Sequence, residues 1–357
     1  MITAERKKKM KTSIVMATYN GSRFIQEQLE SIINQTVLPD EIVISDDGST
    51  DSTVELVRSF FEQHSNLPIQ YQLIMNDPNN RGVRGNFQNA VNHSNGEYVF
   101  FCDQDDIWFP NKIECLVSVL DSHKEKVVIH DAQILMELDD GTFYPIDKHL
   151  TDKYPFNSDG LYKINGLNQV RLAFYCGCIT AGMCSCIKRD YLMSFSPFSK
   201  ASYHDDWIQF CALADDTVLA IKDVLVYYRI HKNNTCGIPE FKKKRSLWEK
   251  IKHFDYKGKE SIRHQYLWYT DTSSYLRNQN ILDDKIKHLI SFFSSKRVDA
   301  ISKNKVSAIL ELAKEYRNGA YEIDGPIVFF HDIAFVLMHP RIERKQYIEF
   351  LKKQTRS

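Results

Sequence analysis

The sequence predicts an α/β fold, with a mostly parallel central sheet, helices on both faces and a C-terminal helical extension. Three observations carry this. Short β-branched runs alternate with stretches of helical period through the first 126 residues, the pattern of strand–helix–strand crossovers. Polar clusters follow directly on three of the apolar runs. After Pro239 the composition shifts to a lysine-rich stretch and then to helical periodicity as far as Gln354.

Taken in order, Thr12–Ala17 reads as a strand ending in a Tyr-Asn-Gly turn. Ser22–Gln35 carries Phe24, Ile25, Leu29, Ile32 and Ile33 at helical spacing. Asp40–Ser45 is the next strand, and Asp51–Gln63 a helix capped by Ser49, Thr50 or Asp51. Ile69–Met75 is a strand, Asn86–His93 a helix and Glu97–Cys102 a buried strand, after which Ile107–Asp121 returns to helix. Beyond residue 127 come short strands at Val127–His130, Ile179–Ile187 and Val218–Tyr228, with a helix around Asp206–Leu213. The expected organisation is a basic tail (1–11), a catalytic domain (12–237, its halves meeting at 126/127) and a helical region (238–357).

Composition excludes several classes. The 357 residues are 43% hydrophobic and 26% charged, which suits a chain with a sizeable core. Formal net charge is zero, so no global basic field exists to hold nucleic acid, and none is expected as a partner. No apolar run reaches the roughly 18 residues that cross a bilayer, and Ser13–Ala17 is too short for a signal peptide. A cytoplasmic location and reduced thiols are therefore expected for the eight cysteines. The pairs Cys176/Cys178 and Cys184/Cys186 suit buried-strand thiols; zinc is the alternative reading. Neither GxGxxG nor GxxxxGK[ST] occurs, which disfavours dinucleotide dehydrogenases and P-loop kinases.

The chemistry lies at the strand ends. Thr18-Tyr19-Asn20, Asp46-Asp47 and Asp103-Gln104-Asp105-Asp106 would all meet beyond the carboxyl edge of the sheet, where open α/β folds bind ligands. Three carboxylates in four residues repel unless a cation sits among them, and hard oxygen donors select Mg²⁺ or Mn²⁺. An isolated DxDD is equally a solvated turn with helix-capping aspartates. The buried strand before it, Trp108 and Pro110 after it, and the second acidic pair at a comparable strand end point to a site.

The ordered runs Ile14–Gly21, Ile44–Asp51 and Asn95–Asp106 resemble glycosyltransferase family 2, across roughly residues 12–237. Asp103-Gln104-Asp105-Asp106-Ile107-Trp108-x-Pro110-x-Lys112, with Asn86-Phe87 upstream, is similar to its rhamnosyltransferase-type branch of bacterial surface-polysaccharide enzymes. The resemblance implies a GT-A fold and an inverting, metal-dependent transfer from a nucleotide-diphosphate sugar (dTDP-rhamnose or a UDP-hexose). The acceptor would be an oligosaccharide or lipid-linked saccharide, in capsule or cell-wall synthesis. It places Ala17, Thr18, Tyr19 and Asn20 at the nucleotide base, with Asp47 or Asp46 on the base edge. Asp103 would face ribose and sugar, Asp105 would ligate the metal, and Arg81 or Arg84 would add positive charge. His204-Asp205-Asp206-Trp207 is similar to the motif that carries the family's base, here Asp205 with Asp206 as runner-up; an acidic helix start is the plainer reading. Tyr227–Gly237 resembles the segment in which Arg229 pairs with phosphate and His231 joins Asp103 and Asp105 at the metal. Gly182 would let the acceptor approach closely or merely relieve crowding.

The run Lys242–Arg245 with Lys250, Lys252, Lys257, Lys259, Trp248, Phe254 and Tyr256 would suit an anionic membrane surface or a packed helix with solvated lysines, and the last hundred residues a homo-oligomer contact through their helices. Two other functions compete: a nucleotidyltransferase that makes the activated sugar, and a silent glycan or nucleotide-sugar binder. The first lacks its glycine- and arginine-rich loop after strand one, and the second fits neutral residues better than Asp103, Asp105, Asp205 and Asp206.

Overall fold

The computed structural model describes residues 12–152, 160–164, 179–232, 234, 247–276, 284–321 and 326–355. The expected tail, Cys176, Cys178 and Lys242–Arg245 lie outside them, as do the side chains of residues 247–258.

The first strands form as their pattern requires. β1 (Thr12–Thr18), β2 (Glu41–Asp46) and β4 (Tyr98–Asp103) are apolar runs buried almost throughout, which is what parallel strands covered on both faces demand. β3 (Gln70–Met75) lies at the edge beside β2, and its residues are exposed or half-buried. The sheet order is β3-β2-β1-β4-β9-β6-β10-β5, with β5 Ile107–Trp108, β6 Val127–Glu137, β9 Ser185–Lys188 and β10 Val218–Ile230. β7 (Phe143–His149) pairs β6, and β8 (Tyr162–Lys163) pairs β10. β1 runs parallel to β2 and β4, as does β6 to β10; β9 is antiparallel to both β4 and β6. Two registers position the site: Thr18 pairs Asp46, and Ala17 pairs Asp103.

Helices α1 (Ile25–Ile33), α2 (Thr53–Gln63), α3 (Val83–His93) and α4 (Lys112–Ser122) follow the strands. One core joins Ile14, Met16, Ile42, Ile44, Phe100 and Cys102 of the sheet to Leu29, Ile32, Val57, Phe60, Ile113 and Leu116 of the helices.

Several boundaries move. The expected helix over Ile107–Asp121 starts only at Lys112, because Ile107 and Trp108 pair with Tyr227 and Val226 of β10. The expected strand Ile179–Ile187 shortens to Ser185–Lys188 behind a 3₁₀ turn at Gly182–Cys184; Cys184 and Cys186 are buried thiols of the core. α3 starts three residues before Asn86. α2 is capped at Ser52, with Asp51 accepting from Thr53 N at 3.0 Å. α5 (Arg189–Ser194) and α6 (His204–Ala214) complete this part of the fold.

The described residues fall into two compact units, the second formed by Ser199–Tyr203 and the chain after Pro239. The second unit is helical: Leu247–Leu276, Asp284–Ser291, Arg297–Ile301, Lys305–Arg317, Pro326–Met338 and Arg341–Gln354. Its apolar helix Pro326–Met338 carries Asp332 for a physical reason: both carboxylate oxygens receive Arg297, at 2.6 and 2.7 Å, and Tyr321 Oη adds a third bond at 2.6 Å. Both charges are fully buried, and only such pairing makes that tolerable. Among the described residues no helix is long and apolar enough to cross a membrane.

At the amino end of the sheet, Gly96 packs on the β1 backbone. An added Cβ would fall 2.3 Å from Ser13 Oγ and 2.6 Å from Ser13 N. Gly96 N also donates to Ser13 Oγ (2.6 Å) and to Glu41 Oε1 (2.9 Å), so the turn cannot back away. Gly96→Ala should cost about 1–3 kcal/mol of stability, the usual range for overpacking, read as a lowered urea midpoint at unchanged m-value.

Candidate active site

A cavity of about 590 Å³ opens at the carboxyl ends of β1 and β4. Ala17, Thr18, Tyr19 and Asn20 line it, with Gly21, Arg23, Phe24, Asp47, Gly82, Val83, Asn86, Phe87, Asp103, Gln104, Asp105 and His231. Three separate strand ends therefore deliver Ala17–Asn20, Asp47, Asp103 and Asp105 to one place.

The β1–α1 loop is fixed by side chains of its neighbours. Gln104 accepts from Tyr19 N (2.9 Å) and donates to Tyr19 O (3.0 Å). Gly21 leaves room for that amide: a Cβ there would lie 2.2 Å from Gln104 Oε1 and displace it. Asn20 sits at φ 49°, a left-handed conformation that asparagine tolerates, and its Oδ1 accepts from Thr50 N at 2.8 Å. Asn86 Nδ2 donates to Thr18 O at 3.0 Å.

The two aspartates after β2 have different fates. Asp46 is wholly buried and takes bonds from Thr18 Oγ1 (2.8 Å), Gly48 N (3.0 Å), Ser49 N (2.7 Å) and Ser49 Oγ (2.7 Å). Its acceptor sites are filled and it does not line the cavity, so it holds the loop and is withdrawn as a base-reading residue. Asp47 does line it, accepting from Asn76 Nδ2 and Gly82 N, both at 2.8 Å. Arg84 and Arg229 lie apart from this wall. Arg84 does not line the cavity. The Arg229 side chain is only 3% exposed and does not line the cavity; its guanidinium is paired with Glu27 and lies 5.1 Å from the Phe24 ring centre and 5.3 Å from that of Phe143.

Around Asp103-Gln104-Asp105-Asp106 the electrostatics are strained. Burial, then the charges of Asp105 and Asp205, push the Asp103 carboxyl up to about 8. Asp205, at the start of α6, accepts from Gly182 N at 3.2 Å; it lies outside the cavity lining but close enough to act on Asp103. Asp206, the runner-up base, does not line the cavity either. Asp106 is fully buried and pushed well up, chiefly by burial; one oxygen accepts from Arg229 N at 3.1 Å and the other has no partner. Lys112, also buried, has its ammonium brought down to about 8 by desolvation; it donates to Met183 O at 2.5 Å and lies 3.7 Å from the Trp108 ring centre. His231 Nε2 lies 3.0 Å from Asp105 Oδ2, with its ring 4.6 Å from that of Phe24.

Carboxylates and an imidazole with an uncompensated negative field suit a hard divalent cation. Among the described residues no group of three His, Cys, Asp or Glu is arranged to hold an ion by itself. An ion here would need further oxygens from its ligand, which is how Mg²⁺ is commonly held.

Sequence reasoning missed Arg23 and Phe24 as lining residues. Of the two roles expected of Gly182, the structure shows relief of crowding: an added Cβ would stand 2.7 Å from His204 Nε2. His204 is buried against Phe87 (4.1 Å) and Phe101 (5.0 Å), burial brings its ring below the ordinary range, and neither ring nitrogen has a partner.

Comparison with known proteins identifies the family and the fold. The family model described as glycosyl transferase family 2 matches residues 13–191. An uncharacterized glycosyltransferase of Nostoc sp. is 30% identical over 228 residues, which are 63% of this chain and 66% of that protein. The chain thus spans slightly under two thirds of that relative. The dTDP-rhamnosyl transferase RfbG of Shigella flexneri is 28% identical over 239 residues, 62% of this chain and 73% of its own. The crystal structure of S. aureus TarS 1-349 in complex with UDP superposes with a TM-score of 0.55 at 16% identity, covering 92% of both chains; at that identity the likeness concerns the fold.

A carboxyl raised from 3.8 to about 8 holds its proton in the folded chain but not in the unfolded one, so stability contributed below pH 4 is lost as pH rises towards 8. The ligand-free protein should therefore lose stability across this window. Asp103→Asn should flatten that part of the profile, as measured by urea midpoints at successive pH values.

Proposed function

The chain belongs to glycosyltransferase family 2, and from that membership we propose an inverting sugar transfer from a nucleotide-diphosphate sugar to a saccharide acceptor in bacterial surface-polysaccharide synthesis. The observation that carries the reading is the cavity at the strand ends, with Asp47, Asp103 and Asp105 on its wall and the Asp205 charge acting on Asp103. Asp47 takes the base edge, and Thr18, Tyr19 and Asn20 border the nucleoside. Asp103 faces ribose and sugar. Asp105 and His231, with Asp103, would hold Mn²⁺ or Mg²⁺, which stabilises the charge of the departing nucleoside diphosphate when bound.

Asp205 takes the proton of the acceptor hydroxyl as its oxygen attacks the anomeric carbon, and the bond from that carbon to the diphosphate oxygen breaks on the opposite side. Gly182 N and the start of α6 hold Asp205 in place. The likeness to RfbG supports dTDP-rhamnose as donor, with a UDP-hexose as the alternative. A lipid-linked acceptor fits the same biosynthetic setting.

Incubation with dTDP-, UDP- and GDP-sugars, a saccharide acceptor and Mn²⁺ tests this through released nucleoside diphosphate. Asp205→Asn should lower release by about 100-fold or more while donor binding persists, as expected for loss of a general base. Asp105→Ala should abolish it. Full-rate release by the double variant contradicts the reading.

A further inference from the structure

We propose that Arg23 is a phosphate-binding residue of this cavity, held in position by Glu137, and that it receives the diphosphate of the nucleotide sugar. The inference rests on the donor reading above. Among the described residues lining the cavity Arg23 is the one arginine or lysine, whereas Asp47, Asp103 and Asp105 make the wall acidic. An anionic ligand entering such a cavity is repelled unless fixed positive charge faces it.

The Arg23 side chain is anchored rather than loose. Its Nη1 donates to Glu137 Oε1 at 2.5 Å and its Nη2 to Gly141 O at 2.9 Å. These bonds use two of five N–H donors, and the side chain keeps 49% of its surface exposed, so the others are open to a ligand. The guanidinium carbon lies 4.7 Å from the centre of the Phe24 ring and 5.6 Å from that of Phe143, a cation–π seat that restricts it further. The Phe24 ring also lies against that of His231, tilted by 31°, and His231 Nε2 reaches Asp105. Arg23 thus belongs to the Asp105–His231 end of the cavity, where the diphosphate is placed.

Glu137 does two things at once. Besides Arg23 it accepts from Lys232 N at 3.4 Å, the residue after His231. One carboxylate therefore orients the guanidinium and the loop that follows the imidazole, and the Arg23 hydrogen bond keeps Glu137 below the usual carboxylate range. The rigid fork of a guanidinium matches two phosphoryl oxygens in a way an ammonium does not. Glu137 is a positioning residue; Arg23 touches the ligand.

The test titrates the full chain with UDP, dTDP and GDP, and with the corresponding nucleosides, at fixed Mg²⁺. Arg23→Ala should weaken the preferred diphosphate about tenfold or more and leave its nucleoside unchanged. Arg23→Lys should restore part of the loss, and Glu137→Gln should weaken the diphosphate in the same direction by less. The inference is overturned if Arg23→Ala binds the diphosphate like the parent, or if nucleoside and diphosphate weaken together, since that reports a damaged pocket. Failure of the unmodified chain to bind any of the three diphosphates instead removes the donor reading itself.

Discussion

Strand β1 is hydrogen-bonded along both edges, and its two registers decide where negative charge collects in this molecule. Pairing Thr18 with Asp46 and Ala17 with Asp103 brings the ends of three parallel strands level. Each end then delivers its next residues into one cavity: Tyr19 and Asn20 from β1, Asp47 from β2, Gln104 and Asp105 from β4. Parallel strands make this possible because all three chains leave the sheet on the same side. A slip of one residue in either register would exchange the two faces of the strand, mismatching the packing on both, and would move the strand ends out of level, so folding and site assembly are held by the same constraint.

That arrangement carries an electrostatic cost which the structure leaves in place. Asp103 and Asp106 are both pushed upward by burial and by neighbouring carboxylates, and the buried Lys112 relieves them only in part. Groups bound to hold such charge apart without a partner are characteristic of sites that bind a counter-charge. Asp46, equally buried, shows the contrast: four donors satisfy it, and it serves the loop.

Much of this was legible in the sequence because it is local. Apolar runs with abrupt polar ends announce buried parallel strands, and the acidic clusters at those ends announce a ligand site. The less legible features depend on distant partners. Ile107 and Trp108 are too few to show a period, and only pairing with β10 makes them a strand. Asp46 and Asp47 are adjacent identical residues, distinguished by which donors the fold brings to each. Arg23 sits in a polar turn with no motif around it, and it joins the cavity wall with Glu137, 114 positions away, as its partner. Arg229 was expected at phosphate for its motif, yet it is buried outside the cavity lining, with Glu27, which no motif marks, on its guanidinium.

The central claim is convergence of the strand-end carboxylates on one anionic ligand and its cation. A crystal structure of the protein with dTDP or UDP and Mn²⁺, recorded with anomalous data for manganese, addresses it most directly. The account predicts an anomalous peak coordinated by Asp105, with the base seated against Asp47 and the diphosphate between them. A nucleotide bound elsewhere on the chain, or manganese remote from Asp103 and Asp105, would contradict it.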